Sequence, residues 1–480
     1  MKQLNRKTNI LEQFTSGFIF KIVYLILVLF SFNTLLLDIP YLKNILIYTS
    51  VALGGIVLIY RVIHIKRFLN MKYIWLLFAF FVSYGISLIL NIKYGFIDPL
   101  QAMVWMALQY FILFLKDPEV PQQKTEKEFR ILSWIFMLYT LICSILSFLM
   151  LLFNYSVKDF ERVPVKLAGL VWGRLWGVYT DPNYASVLAI VAIFIGLYLV
   201  KSYKSVFVKI LCGINAAFQI MYVAFSDSRT GLVCLAAGGA FYAYMRLAKL
   251  PKFKVRKITG QAVSCIVAVC ILCIMVAIPK GIKIGYNEII KLTETTQPPA
   301  GNGENIESPN DKEIGRDQDI ESDVSNRRFD LWKSGLEIYA KKPVFGVSMF
   351  NAVAFAQEQL PNTYLINNDA GIFDSLHNTF LNVLLSQGIV GFVIMMLFAV
   401  LAIIFILQRL IKMDSESEPI DCVKYIILLS ILVTITVSMM FVGDVFYLNS
   451  GASFLFWSIL GMMLTYFNGK RGEEKCLQSA

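Results

Sequence analysis

The chain has 480 residues, 57% of them hydrophobic and only 16% charged, with a mean hydropathy of +0.64. Soluble domains carry about 25% charged residues, so an ordinary soluble globule is excluded, and long apolar runs in place of short alternating segments exclude a closed β-barrel. The net charge of +11 does not mark a nucleic-acid binder, because Lys and Arg sit in short patches between apolar runs, the pattern that orients a membrane protein.

Twelve apolar runs of about 17 residues or more match a hydrocarbon core about 30 Å thick. Each should be helical, since an unpaired peptide group is costly in lipid. In chain order they span 17–37, 42–60, 73–90, 97–115, 131–153, 184–200, 206–225, 230–247, 261–279, 380–407, 424–442 and 451–467. Leu11 to Leu37 has no small-residue cleavage site and reads as the first span, not as a cleavable signal peptide. The expected fold is an all-α polytopic membrane protein with about twelve transmembrane helices and one large extracytoplasmic loop containing short helices. Spans one to nine fill 1–279, the loop fills 280–379, and 380–480 holds the last three spans and a cytoplasmic tail. With the N-terminus in the cytoplasm, basic clusters such as Arg61, Lys66, Arg67 and Lys72 face inward. Both termini are then cytoplasmic, in the cell membrane.

Three outer regions stand out. The first, 154–183, ends in Gly173-Arg174-Leu175-Trp176-Gly177 and Thr180-Asp181-Pro182-Asn183. The second is the turn Ser226-Asp227-Ser228-Arg229-Thr230-Gly231. The third is the long loop, where 294–326 holds nine acidic residues against two basic ones and reads as a disordered or mobile insert. A helix is expected after it, from Arg327 to Ala340, capped by Asn326 and ended by Lys341, Lys342 and Pro343. Phe329, Trp332, Leu336 and Tyr339 share one face of that helix and are expected to pack on the membrane domain or lie at the interface.

Arginine near a membrane is usually placed to meet an anion, and its planar fork binds phosphate in bidentate fashion. Arg174, Arg229, Arg327 and Arg328 are the outer candidates. Arg229 opens a helix after a polar turn, where the first amides join its side chain around an anion. The bland alternative for each is an arginine snorkelling at headgroup level. His377, in Asp374-Ser375-Leu376-His377-Asn378-Thr379, has an ordinary pKa of about 6.5, suited to taking a proton from a hydroxyl. The alternative is a capping or interfacial polar residue. Asp181, Asp227, Asp330, Glu337, Asp374 and Asp444 are scattered carboxylates that could orient a sugar or the histidine ring. One outer histidine and no outer cysteine do not make a zinc or iron site. No Walker loop is present, and no metal or cofactor is expected.

At these residues the chain resembles the O-antigen ligase and polysaccharide polymerase family of bacterial envelope enzymes. Four stretches carry the resemblance, in the family's order: Gly173 to Gly177 running to Asp181-Pro182-Asn183; Ser226 to Gly231; Arg328 through Trp332 to Pro343-Val344-Phe345-Gly346-Val347; and His377-Asn378 through Gly388-Ile389-Val390-Gly391. The insert 294–326 is long and polar for the family's loop. The resemblance implies metal-independent, inverting glycosyl transfer outside the membrane, from a glycan on an undecaprenyl diphosphate lipid. It maps the diphosphate-binding arginines to Arg174 and Arg229, the loop arginine to Arg327 or Arg328, and the histidine acting on the acceptor hydroxyl to His377, with Asp181, Asn183 and Asn378 beside them.

The expected function is polymerisation or ligation of a lipid-linked oligosaccharide for capsule, exopolysaccharide, teichuronic-type polymer or O-antigen. The expected partners are the lipid-linked glycan, membrane lipids and envelope polysaccharide assembly proteins, with no nucleic acid. A transporter or flippase of lipid-linked sugars is the alternative. Spans nearly free of charge, with polar motifs gathered on one side, argue against it.

Overall fold

A computed structural model describes residues 17–162, 165–249, 257–295, 313–315, 327–369, 371–413, 419–442 and 445–478. The apolar runs fold as helices in chain order: α1 (Phe18–Phe30), α2 (Leu42–Ile63), the short α3 (Ile65–Phe68), α4 (Ile74–Leu90), α5 (Ile97–Leu108), α6 (Gln122–Leu152), α7 (Pro182–Ser202), α8 (Val206–Phe225), α9 (Arg229–Ala248) and α10 (Lys257–Thr295). Then come α11 (Arg328–Lys341), α12 (Ala352–Gln359), α13 (Thr379–Lys412), α14 (Pro419–Ser438) and α15 (Gly451–Gln478). A π-helical turn, Gln109–Phe114, extends α5. Among the described residues nine helices are long and apolar enough to cross a membrane. Three further expected spans fall on α1, α4 and α15. Helix α7 is the centre of the bundle, with 72% of its apolar window buried, while α10 buries 17% and lies at the edge.

Three features depart from the sequence-based expectation. Residues 156–177 form a small antiparallel sheet, β1 (Ser156–Asp159), β2 (Lys166–Val171) and β3 (Arg174–Gly177), in the order β1-β2-β3. Its strands are four to six residues long, too short for helix periodicity to give a signal. Helix α10 runs past the expected end at 279 to Thr295, through Pro279. A proline lacks one amide and disfavours the helix interior, but tertiary contacts can carry a helix through it. On α11 the buried residues are Leu331, Ser334, Gly335 and Ile338, while Phe329 and Leu336 are exposed. The packed face is therefore rotated from the aromatic one expected. Small residues allow close approach there: a Cβ on Gly335 would strike the side chain of Leu376.

The expected cap Asn326 and nearly all of the acidic insert 294–326 lie outside the described residues, and Arg327 stands at the N-cap of α11 in a left-handed conformation. Glu313–Gly315 is described, and it is tied down. Asn287 of α10 accepts from the Ile314 amide (3.0 Å) and donates to the Ile314 carbonyl (2.7 Å), and the Gly315 amide donates to the Gly173 carbonyl (3.0 Å).

Helix α13 is broken at Gly388 (φ 61°, ψ −161°). The stretch 343–348 fills the break: the Val347 and Ser348 amides donate to the carbonyls of Leu385 (2.9 Å) and Ser386 (3.0 Å), and the Ile389 and Val390 amides donate to Pro343 (2.8 Å) and Val344 (3.3 Å). Gly346 (φ 67°) and Gly388 both face backbone where a Cβ would clash, so no side chain fits at either position. The Ser87 hydroxyl donates to the Ser386 carbonyl (2.7 Å), and the Asn91 side-chain Nδ2 to the Gly346 carbonyl (3.0 Å). Every peptide group exposed by the break must find such a partner in an apolar surround.

Above this break the large loop builds a second, smaller core. Leu331, Ile338, Val347, Phe355, Leu365, Leu376 and Leu385 pack together. Leu376 is 1% exposed, and it anchors the loop directly before His377.

Candidate functional site

Three helices begin at one end of the bundle, each on a side-chain cap. Asp181 Oδ1 accepts from the Tyr184 amide (2.6 Å) at the start of α7, with Pro182 in the first turn. Ser228 Oγ accepts from the Gly231 amide (3.0 Å) at the start of α9. Asn378 Oδ1 accepts from the Phe380 (3.0 Å) and Leu381 (3.2 Å) amides at the start of α13. The caps hold the polar side chains at the helix ends, and the N-termini add partial positive charge to this end of the molecule.

Arg174 lies on β3 and is 7% exposed. Its Nε donates to the Ser226 carbonyl (2.8 Å) and its Nη2 to Asn183 Oδ1 (2.8 Å). The Ser228 hydroxyl donates to the same oxygen of Asn183 (3.0 Å). Ser186 and Ser226 share a further hydroxyl contact (2.8 Å). The first two motifs are thus one hydrogen-bonded unit that joins β3, the start of α7 and the turn between α8 and α9.

Arg229 follows Ser228 and opens into a cavity of about 490 Å³ between α9 and α10. Asp227, Lys280 and Lys283 line the same cavity, and Lys283 pairs with Asp227 at 3.0 Å. The two lysines escaped the sequence reading, which ended the helix at 279. Continued past Pro279, their spacing of three puts them on one helical face.

His377 is held from both sides. The Trp332 indole donates to the Leu376 carbonyl (3.1 Å), Asn382 Oδ1 accepts from the Leu376 amide (3.2 Å), and the Thr379 amide donates to the Met439 carbonyl (2.8 Å). His377 adopts a left-handed backbone (φ 50°), and its amide donates to Ser375 Oγ (3.2 Å). The residue as a whole is exposed. Even so, neighbouring groups desolvate the ring, and this, with the positive charge of Arg328, lowers its pKa below the ordinary 6.5. Asp181 and Asp374 act in the opposite sense, more weakly.

His377, Arg328, Asp181 and Asp374 therefore lie within electrostatic reach of one another. Arg328 also stacks on Phe441, 5.6 Å from the ring centre, while Arg327 is exposed at the helix cap. Of the remaining carboxylates, Glu337 accepts from Thr363 (2.7 Å) and Asp444 lies outside the described residues. Through Asp181 and Asn183, two residues apart at the start of α7, the histidine group and the Arg174 group occupy the same end of the bundle. Asn378 and Asp181 each commit an oxygen to capping; the Asn378 cap directly follows the histidine, and the Asp181 cap fixes the start of α7.

Comparison with known proteins adds one finding. The model of the family described as O-antigen ligase matches residues 214–396. The match contains Arg229, Arg327, Arg328, His377 and Asn378. Arg174, Asp181 and Asn183 precede it; Arg174 and Asn183 are joined to it by their hydrogen bonds with Ser226 and Ser228. No curated protein matches the chain. The resemblance to the O-antigen ligase and polysaccharide polymerase family is borne out over the matched stretch.

Proposed function

We propose, from a central segment that carries the O-antigen ligase resemblance, that this protein is a membrane glycosyltransferase that polymerises or ligates undecaprenyl diphosphate-linked oligosaccharide on the extracytoplasmic face. The observation that carries the reading is the meeting of His377, Arg328 and Asp181 at the end where α7, α9 and α13 begin. The family resemblance alone favours glycan processing. The reading is supported further by a titratable ring that has the Arg328 cation within electrostatic reach.

The reaction follows from these groups. The acceptor hydroxyl oxygen attacks the anomeric carbon from the face opposite the diphosphate. The bond from that carbon to the diphosphate oxygen breaks, and the lipid diphosphate leaves with the electron pair. The hydroxyl proton passes to the ring of His377, which is neutral above its lowered pKa; such a base contributes roughly 10²–10⁴ in rate. Arg229 and the α9 N-terminus face the charge growing on the leaving group, while Arg174 holds their turn in place. Loss of one preorganised donor of this kind typically costs about 10²–10³ in rate. The lipid tail remains in the bilayer and the sugars in water, so the reacting atoms belong at the interface, where α7, α9 and α13 begin.

The test compares glycan chain length in cells carrying wild type, His377→Ala or Arg229→Ala at equal membrane levels. Single lipid-linked units in both variants support a polymerase. Full-length but unattached chains support a ligase. Normal attached polymer from both variants overturns the catalytic assignment, and a lipid-flipping defect with unchanged chain length would replace it with transport.

A further inference from the structure

The cavity between α9 and α10 contains more positive charge than the family resemblance assigns. Arg229, Lys280 and Lys283 line it, and Asp227 is its one carboxylate among the lining residues. The rest of the lining is largely apolar, including Leu232, Val276 and Ile284. A cationic rim over an apolar floor suits a ligand with a phosphate at one end and hydrocarbon at the other. Helix α10 is the edge helix, with 17% of its apolar window buried, so the cavity borders the region where lipid tails lie. The extension of α10 beyond Pro279 raises the two lysines to the level of the Asp227 turn, as the Lys283–Asp227 pair at 3.0 Å records.

We propose that Lys280 and Lys283 complete a phosphate-binding subsite with Arg229, and that its ligand is the diphosphate of a polyprenyl-linked glycan. The proposal rests on the reading of the chain as a transferase for such a lipid. Asp227 competes with the ligand for Lys283: the ion pair holds the lysine in place when the cavity is empty, and the diphosphate recruits it when bound. Asp227 sits in a left-handed conformation (φ 46°), which asparagine also tolerates, so Asp227→Asn removes the charge without displacing the turn.

The experiment uses the full chain in nanodiscs and measures binding of undecaprenyl diphosphate, inorganic diphosphate and phosphatidylglycerol, with the KM for the lipid-linked donor. Lys280→Gln and Lys283→Gln should each weaken polyprenyl diphosphate binding by roughly 10-fold, the scale of one charge-assisted hydrogen bond. Lys283→Arg should retain binding, and Asp227→Asn should tighten it. A purely structural salt bridge predicts the same sign of effect from both of its ends, so opposite signs support the subsite. Unchanged binding and KM in both glutamine variants overturn it. A loss confined to phosphatidylglycerol overturns it too, and assigns the lysines to bulk-lipid contact; a loss confined to inorganic diphosphate overturns the lipid assignment. The transferase reading fails on different evidence, through active His377→Ala and Arg229→Ala variants, so the two failures are distinguishable.

Discussion

At His377 a left-handed backbone, a buried leucine before it and a helix cap after it fix one ring beside Arg328, Asp181 and Asp374. Desolvation and Arg328 favour the neutral ring, so its pKa lies below 6.5. A base with a lowered pKa keeps its activity as pH falls toward 6.5, and the acid limb of kcat/KM should lie below that value. Arg328→Gln removes a lowering influence and should move the limb to higher pH. Asp374→Asn removes a raising one and should move it lower. A pH–rate profile of purified protein checks both signs, and shifts in the same direction would reject this electrostatic account. The linked stability has its own sign. Below about 6.5 the unfolded histidine binds a proton that the folded ring resists, so this residue's contribution falls as pH drops.

On the scale of elements, two of the sequence motifs prove to be halves of one joint. Pro343-Val344-Phe345-Gly346-Val347 and Gly388-Ile389-Val390-Gly391 meet through two backbone hydrogen bonds at the break in α13, and two more, from Val347 and Ser348 to Leu385 and Ser386, close it on the other side. Gly346→Ala or Gly388→Ala must place a Cβ against backbone at positive φ, and each should destabilise the protein by more than 1 kcal/mol. Gly55→Ala, in α2 with open space at its Cβ position, serves as the control and should be neutral or stabilise by up to about 1 kcal/mol. Thermal unfolding of detergent-solubilised protein distinguishes them. Ser228→Ala removes both the α9 cap and the hook to Asn183. Loss of the cap alone costs about 1 kcal/mol, and activity should fall further because the Arg229 turn loosens.

For the whole molecule, the nine helices with spanning length and apolarity, together with α1, α4 and α15, make twelve crossings our proposed topology. An even number returns the chain to the side on which it began. Tags at both termini should therefore be protected in intact cells. A single cysteine placed at the exposed Phe160, in a cysteine-free background, should react with an impermeant maleimide. Labelling of the tags with protection of Phe160 would invert the topology, and labelling at only one terminus would make the number of crossings odd.

What the sequence determined by itself was whatever depends on local chemistry. The apolar runs read as helices because length and polarity alone decide whether a segment satisfies its peptide groups in lipid. The arginines and the histidine were legible as rare polar groups at the ends of apolar runs, whereas the capping roles of Asp181, Ser228 and Asn378 emerged only from the structure. The tertiary structure decided what depends on neighbours distant in sequence. It turned a different face of α11 inward, because the small Ser334 and Gly335 let it approach the Leu376 loop. It carried α10 through Pro279 and so brought Lys280 and Lys283 to Arg229. Arg174 was joined to Asn183 and Ser226, and Arg328 separated from its neighbour Arg327 as the arginine that acts on His377. Helical periodicity lists the faces a segment offers, and packing alone selects the one that is buried.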